Sequence, residues 1–212
     1  MQILTAPQLR ALDEATVLEH GITSTDLMER ASQAFVRAFR GHFGPEHPVA
    51  ILCGTGNNGG DGLAVARMLD LRYNVTVLAA QVGRRSSDNM INYRRAGRAG
   101  CKTLDLKVGD SFPHLREGAV LIDALFGTGL SRPLEGYWAE LVVHFNEQRY
   151  PTVALDLPSG LLPDQSTEGA VLRADRTITL GLPKLALFAP ENTKHVGQWE
   201  VAPFPLSDPA SV

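Results

Sequence analysis

The chain is poor in the residues that staple, anchor or metallate a fold. It has two cysteines, Cys53 and Cys101, and they do not form a CxxC pair. This spacing indicates neither a disulfide framework nor a zinc site, fits a reducing compartment and leaves both thiols as core residues. No apolar run approaches the ~20 residues of a membrane span, and Met1 to Pro7 lacks a basic segment followed by an apolar one. A cytoplasmic protein without a membrane partner is expected. The formal net charge of −3 and the lack of a polybasic block remove any electrostatic reason to expect nucleic acid. Neither GxSxG nor HExxH occurs, so hydrolase and zinc-protease chemistry have no footing. His20, His42, His47, His114, His144 and His195 read as structural or solvated.

At 212 residues, 44% hydrophobic and 20% charged, the chain suits one α/β domain with a sizeable core. We take 1–212 as that domain, with 204–212 as a tail or the stub of a linker. Its organising stretch is CGTGNNGGDG, Cys53 to Gly62. Pro48 introduces the apolar Val49 to Leu52 before it, and Leu63 to Leu71 follow at amphipathic helical spacing, giving a strand, glycine loop and helix. Gly54, Gly56, Gly59, Gly60 and Gly62 permit positive φ and close backbone approach to a ligand, while the helix start offers N–H donors to an anion. Gly54, Gly56 and Gly59 also satisfy GxGxxG, a weak signal by itself.

Three features depart from a dinucleotide-dependent dehydrogenase. The next strand, Asn74 to Ala80, leads into Gln81 with no acid for ribose hydroxyls. Asp61 sits in the cradle, where it suits the helix dipole but repels a pyrophosphate. Asn57 and Asn58 place two amides at the tip, suited to polar substrate groups, to an oxygen-liganded cation, or to turn positions.

Upstream, Thr5 to Gln8 resembles a capping box, and Leu9, Leu12, Ala15 and Leu18 recur at helical spacing until Gly21. A second helix begins near Ser24 or Asp26 and carries Leu27, Met28, Ala31, Ala34, Phe35 and Phe39 to Gly41. This pair is free to cover a sheet face, roof the site or form a subunit interface, and we expect a homodimer. Downstream, Arg84 and Arg85 could meet a 2′-phosphate or simply face solvent. A helix then runs through Met90, Tyr93 and Ala96 to Gly97 or Gly100. Lys102 to Leu106, Ala119 to Leu125 and Pro151 to Leu157 read as strands, the second of the type buried on both faces of a parallel sheet. The alternation implies an α/β fold: a Rossmann-like, doubly wound, largely parallel sheet flanked by helices, with two N-terminal helices. Asp123 and Asp156 fall near strand carboxyl ends, where ligands of open α/β sheets bind, so the loop Gly127 to Gly136 should lie beside the first loop. Either aspartate alone could be a cap or turn former, but their repetition at equivalent positions points to one cleft.

GTGNNGGDG, DALFGTGLSRPLEG and VALDLPSG, in this order and spacing, with DLMERAS (26–32) and TITLGLPKLALF (177–188), resemble the NAD(P)H-hydrate epimerase family. This is the YjeF N-terminal domain, whose animal members include the apolipoprotein A-I-binding protein. The resemblance covers nearly the whole chain. It implies interconversion of the R and S forms of hydrated NADH and NADPH in metabolite repair, with an NAD(P)H-hydrate dehydratase, on another chain or a removed domain, as functional partner. It implies substrate binding by Asn57, Asn58, Gly59, Gly60 and Asp61, by Gly127, Thr128, Gly129, Leu130, Ser131, Arg132 and Pro133, and by Asp156. It further implies a potassium ion on Asn58, Asp123 and Ser159. Their oxygens suit a hard cation but do not by themselves separate potassium from sodium or magnesium.

Inversion at a carbon bearing a hydroxyl and the ring nitrogen can pass through an iminium, with water returning to the other face, or through ring opening and closure. Both routes move a proton at oxygen, and Asp156, then Asp61, then Lys184 are the candidate acids and bases. Two other classes use the same loop: an NADP-binding Rossmann oxidoreductase and a non-enzymatic nucleotide-sensing interaction module. The polar residues present in all three loops argue against the last.

Overall fold

A strand covered on both faces must be apolar at every position, and all five residues of β1, Val49–Cys53, are buried. In the computed structural model, which describes residues 3–211, β1 lies inside a seven-stranded sheet in the order β3-β2-β1-β4-β5-β6-β7, with every pairing parallel. The other strands are β2 (Val75–Ala80), β3 (Thr103–Leu106), β4 (Val120–Ala124), β5 (Thr152–Leu155), β6 (Arg176–Leu180) and β7 (Gln198–Ala202). The helices are α1 (Ala6–His20), α2 (Ser24–Arg40), α3 (Asn57–Leu69), α4 (Ser87–Arg98), α5 (Tyr137–Gln148) and the one-turn α6 (Thr193–Val196). Met1 and Gln2, and Val212 of the tail, lie outside the described residues. No described helix is long and apolar enough to cross a membrane.

Side chains alternate across a strand, which sorts the core into two layers. Val49, Ile51 and Cys53 of β1 pack with Val120, Ile122 and Ala124 of β4 against Phe35 and Phe39 of α2 and Leu63 and Leu69 of α3. Ala50, Leu52 and Leu121 face the other way, onto Leu141, Val142 and Phe145 of α5. Both cysteines are free and buried, as expected, and burial pushes the Cys53 thiol up, away from reactivity. Spacing in the sequence assigns none of α5, β6 and β7; the structure adds all three.

The helix pair divides its roles. α2, capped by Thr23 and Asp26, covers a sheet face, whereas α1 is fastened at both ends to loops. The Ala6 N–H donates to Asp164 Oδ2 (2.8 Å), and the Ser207 N–H donates to Thr16 Oγ1 (2.9 Å). Ser207 Oγ also donates to Glu19 Oε2 (2.5 Å), so the tail is bound to α1 at this residue.

The glycine run departs from expectation. α3 begins at Asn57 rather than Leu63, with Gly56 as its N-cap, so Asn57 to Gly60 form a first helical turn. None of the five glycines has positive φ. They provide clearance instead. A Cβ on Gly54 would overlap the Leu125 carbonyl, one on Gly59 the Gly54 carbonyl, and one on Gly62 would lie 2.6 Å from Ala124 Cβ. The run lets a helix start directly on the strand ends, with its first N–H groups unshared.

Candidate active site

The chain leaves β1 for β2 and β3 on one side, then returns to place β4 on the other. Loops diverging from such a reversal leave a crevice at the carboxyl ends of the two strands. The glycine run and the loop after β4 border it, joined by the Gly54 N–H donating to the Ala124 carbonyl (3.0 Å). Asn89 of α4, fully buried, holds the first loop by donating from Nδ2 to the Gly54 (3.0 Å) and Gly56 (2.7 Å) carbonyls.

The second loop closes on Asp156, which follows β5. Asp156 is buried and, among the described residues, is one of two non-glycine residues with positive φ (76°), a costly conformation away from glycine. Its Oδ1 accepts from Lys184 Nζ (2.5 Å), Leu180 N–H (3.2 Å) and Thr179 Oγ1 (3.3 Å), and its Oδ2 from the Thr128 N–H (3.4 Å). Lys184, 3% exposed, also donates to the Leu180 carbonyl (2.6 Å). Gly127 fits between the loops: a Cβ there would lie 3.0 Å from both Asn58 Oδ1 and Asp156 Oδ2. One glycine thus places an amide of the first loop beside the carboxylate after β5.

Asp123 is fully buried in β4. It accepts from Ser159 Oγ (2.6 Å), the Ser159 N–H (2.7 Å) and the Leu125 N–H (3.2 Å), while the Phe126 N–H donates to Ser159 Oγ (2.9 Å). Burial raises its carboxyl to about 6, against the lowering effect of these hydrogen bonds, and no lysine or arginine pairs with it. Asn58 Nδ2 is buried without a partner. A carboxylate lacking a countercharge, a serine oxygen and an amide free to turn, gathered along Phe126 and Gly127, suit an oxygen-liganded cation. No group of three or more histidine, cysteine, aspartate or glutamate side chains offers a metal site among the described residues.

Asp61, half-buried on α3, is held well above the usual carboxylate range, first by burial and then by the charges of Asp156 and Asp13, with Ser32 partly opposing. Asp13 is the unexpected member. Although its residue is exposed on α1, crowding of its carboxyl and the Asp156 charge raise it to about 6 from 3.8, with Lys184 opposing. A carboxyl raised by folding binds its proton more tightly in the native state, so it subtracts stability as pH rises from about 4 to about 6. Asp13→Asn should therefore melt above wild type at about pH 7.5, the difference vanishing near pH 4. Equal melting across that range, measured by calorimetry, would contradict this placement.

The remaining expected residues separate. Gly59, Gly60, Gly127 and Asp156 are buried, Asn58, Asp61, Thr128 and Leu130 half-buried, and Asn57, Gly129, Ser131, Arg132 and Pro133 exposed along the cleft's outer rim. Arg85 is engaged internally, donating to Asn89 Oδ1 (2.7 Å) and the Ala80 carbonyl (3.1 Å) and stacking on Tyr93, which removes the 2′-phosphate alternative for it. An arginine-lined cleft formed by Glu29, Arg67, Arg95 and Arg98 shares no residue with these loops.

Asn89 escapes sequence reasoning because α4 hides a polar face. Asn89, Asn92 and Ala96 are buried, whereas Met90, which marks the helix by its hydrophobicity, is 38% exposed. Asparagines three apart in line with Ala96, opposite Arg94, Arg95 and Arg98, are the available signal. Asp13 offers none, since its neighbours are ordinary for an exposed helix position.

The model of the YjeF-related protein N-terminus matches residues 24–186. An NAD(P)H-hydrate epimerase of Limosilactobacillus fermentum is 34% identical over 95% of this chain and 96% of its own length, and one of Weissella koreensis is 34% identical over 99% and 94%. The bifunctional NAD(P)H-hydrate repair enzyme Nnr of Salinibacter ruber is 35% identical over 94% of this chain, which spans 40% of that protein. The crystal structure of yeast ynu0 has the same fold, with a TM-score of 0.79 at 22% identity over 95% of this chain and 87% of its own. The chain belongs to the YjeF N-terminal family, the family of the NAD(P)H-hydrate epimerases.

Proposed function

We propose that this chain interconverts the R and S forms of hydrated NADH and NADPH. The observation that carries the reading is the meeting at one strand crossover of a helix N-terminus that can receive phosphate, the amide of Asn58 and the Lys184-paired Asp156. Relatives matching 95% and 99% of this chain bear the epimerase name.

The first turn of α3, from Asn57 to Gly60, and the rim from Gly127 to Pro133 hold the nucleotide. Asp61, which keeps its proton further toward neutrality than an ordinary aspartate, donates to the departing hydroxyl. Asp156, whose partners all donate to it, accepts a proton from the water that enters on the opposite face. Asn58, Asp123 and Ser159 would hold potassium, which would supply positive charge to offset the buried Asp123 carboxylate.

That ion has its own test. Potassium should raise the melting temperature of wild type relative to tetramethylammonium, while Asp123→Ala, which also leaves the Ser159 and Leu125 donors unpaired, should melt lower and lose the response. A wild-type melting temperature indifferent to potassium would remove it. The function itself is tested by supplying one pure epimer of hydrated NADPH and following the other by chromatography. Appearance no faster than without protein would defeat the reading.

A further inference from the structure

Three consecutive carbonyls of the glycine run are held by the segment that opens α4. Asn89 Nδ2 donates to the carbonyls of Gly54 (3.0 Å) and Gly56 (2.7 Å), and the Ser86 N–H donates to that of Thr55 (2.9 Å). Thr55 Oγ1 returns a bond to the Val82 carbonyl (3.2 Å). The C=O and N–H of a trans peptide point in opposite directions, so turning these carbonyls toward α4 turns the N–H groups of Thr55, Gly56 and Asn57 away from it. α4 begins beyond β2, on one side of β1, and the second loop leaves β4 on the other side. The three N–H groups are thereby directed to the side of the second loop, and none bonds to an acceptor among the described residues.

Asn89 is itself fixed. It is fully buried, and its Oδ1 accepts from Arg85 Nη1 (2.7 Å). Arg85 Nη2 donates to the Ala80 carbonyl at the end of β2 (3.1 Å), and the guanidinium lies 4.3 Å from the centre of the Tyr93 ring. A guanidinium only donates and a carbonyl only accepts, so one orientation of the Asn89 amide satisfies both sides.

We propose that Asn89 and Arg85 are positioning residues for the nucleotide, a clamp that keeps the N–H groups of Thr55, Gly56 and Asn57 aimed at its phosphate. This rests on the epimerase reading above, which seats the nucleotide on this turn. Neither side chain takes part in the chemistry. A phosphate far from the reacting carbon is bound equally in ground and transition states, so the clamp acts on substrate affinity and not on kcat.

The test compares wild type, Asn89→Asp and Arg85→Met in calorimetric binding of NADPH and in epimerisation of two substrates: hydrated NADPH, and hydrated reduced nicotinamide riboside, which lacks every phosphate. Asn89→Asp keeps the shape and the acceptor for Arg85 but sets a carboxylate oxygen against two carbonyls. It should weaken NADPH binding and raise KM for hydrated NADPH by roughly 10- to 10²-fold, the range for hydrogen bonds to a charged group, with kcat little changed. Arg85→Met, at a half-buried position, should shift both in the same direction by roughly 3- to 10-fold, and decides the matter if Asn89→Asp does not fold. With the riboside, kcat/KM of both variants should match wild type, because there is no phosphate to lose. An equal loss on both substrates would reduce the pair to a structural role and overturn the proposal. So would unchanged NADPH affinity in both variants, a fall in kcat at constant KM, or a wild type that does not bind NADPH. A wild type that binds NADPH without turning over its hydrate would defeat the epimerase reading alone, and the binding measurements would then decide the clamp.

Discussion

Asp156→Asn should lower turnover at saturating substrate by roughly 10²- to 10⁴-fold, the range for losing a group that moves a proton in the transition state. The structure adds a second effect. Asp156 is the charged partner of Lys184, both are buried, and the amide would leave an ammonium group neutralised by no carboxylate. Removing one member of a buried pair costs about 3–5 kcal/mol, equivalent to roughly 10 °C of melting temperature for a chain of this size. Loss of activity in this variant alone therefore mixes chemistry with folding. Asp156→Asn combined with Lys184→Met separates them. The double variant should recover most of the melting temperature, because an apolar side chain of similar length replaces the stranded charge, while turnover stays low. If turnover of Asp156→Asn at saturation stays near wild type and only affinity falls, Asp156 binds equally in ground and transition states. The proton transfer would then belong to Asp61.

Gly59→Ala is expected to be the most disruptive single-methyl change in the cradle. Its Cβ would overlap the backbone carbonyl of Gly54, which is fixed because the Gly54 N–H is bonded to β4 and its carbonyl to Asn89. A flexible side chain could move aside; this carbonyl cannot without pulling β1 from β4 or releasing Asn89. The cost should reach about 3 kcal/mol, the upper end for overpacking, or roughly 6–12 °C. Substrate binding should fall with it, since the shift opens the first turn of α3. Gly56→Ala is the control, because a Cβ at Gly56 meets nothing within 4 Å and its φ is negative. Equal melting temperatures for the two variants would show that clearance is not what these glycines provide.

The sheet was legible because its strands are long apolar runs. AVLIDAL announces a strand covered on both faces and PTVALDL a further strand, and the placing of their aspartates near the carboxyl ends follows from the topology. Less legible was anything decided by what packs against a residue. The φ values of the glycine run depend on whether a helix or an open loop follows Gly56, and GxGxxG is compatible with either. β7, Gln198–Ala202, is an edge strand with partly exposed residues, so its pattern lacks the continuous apolar run that marks β1 and β4. Lys184 joins the site only because the segment after β6 folds back to Asp156. A contact across 28 residues of chain leaves no local trace.

The central claim is inversion at the hydroxyl-bearing carbon by this cleft. One pure epimer of hydrated NADPH, incubated with catalytic amounts of protein in water enriched in oxygen-18, should yield the other epimer well above the spontaneous rate. The product hydroxyl should carry the heavy isotope, because the C–O bond is broken and remade with solvent. Enzyme-dependent conversion with the original oxygen retained would contradict the iminium route and favour ring opening. No acceleration would contradict the claim itself.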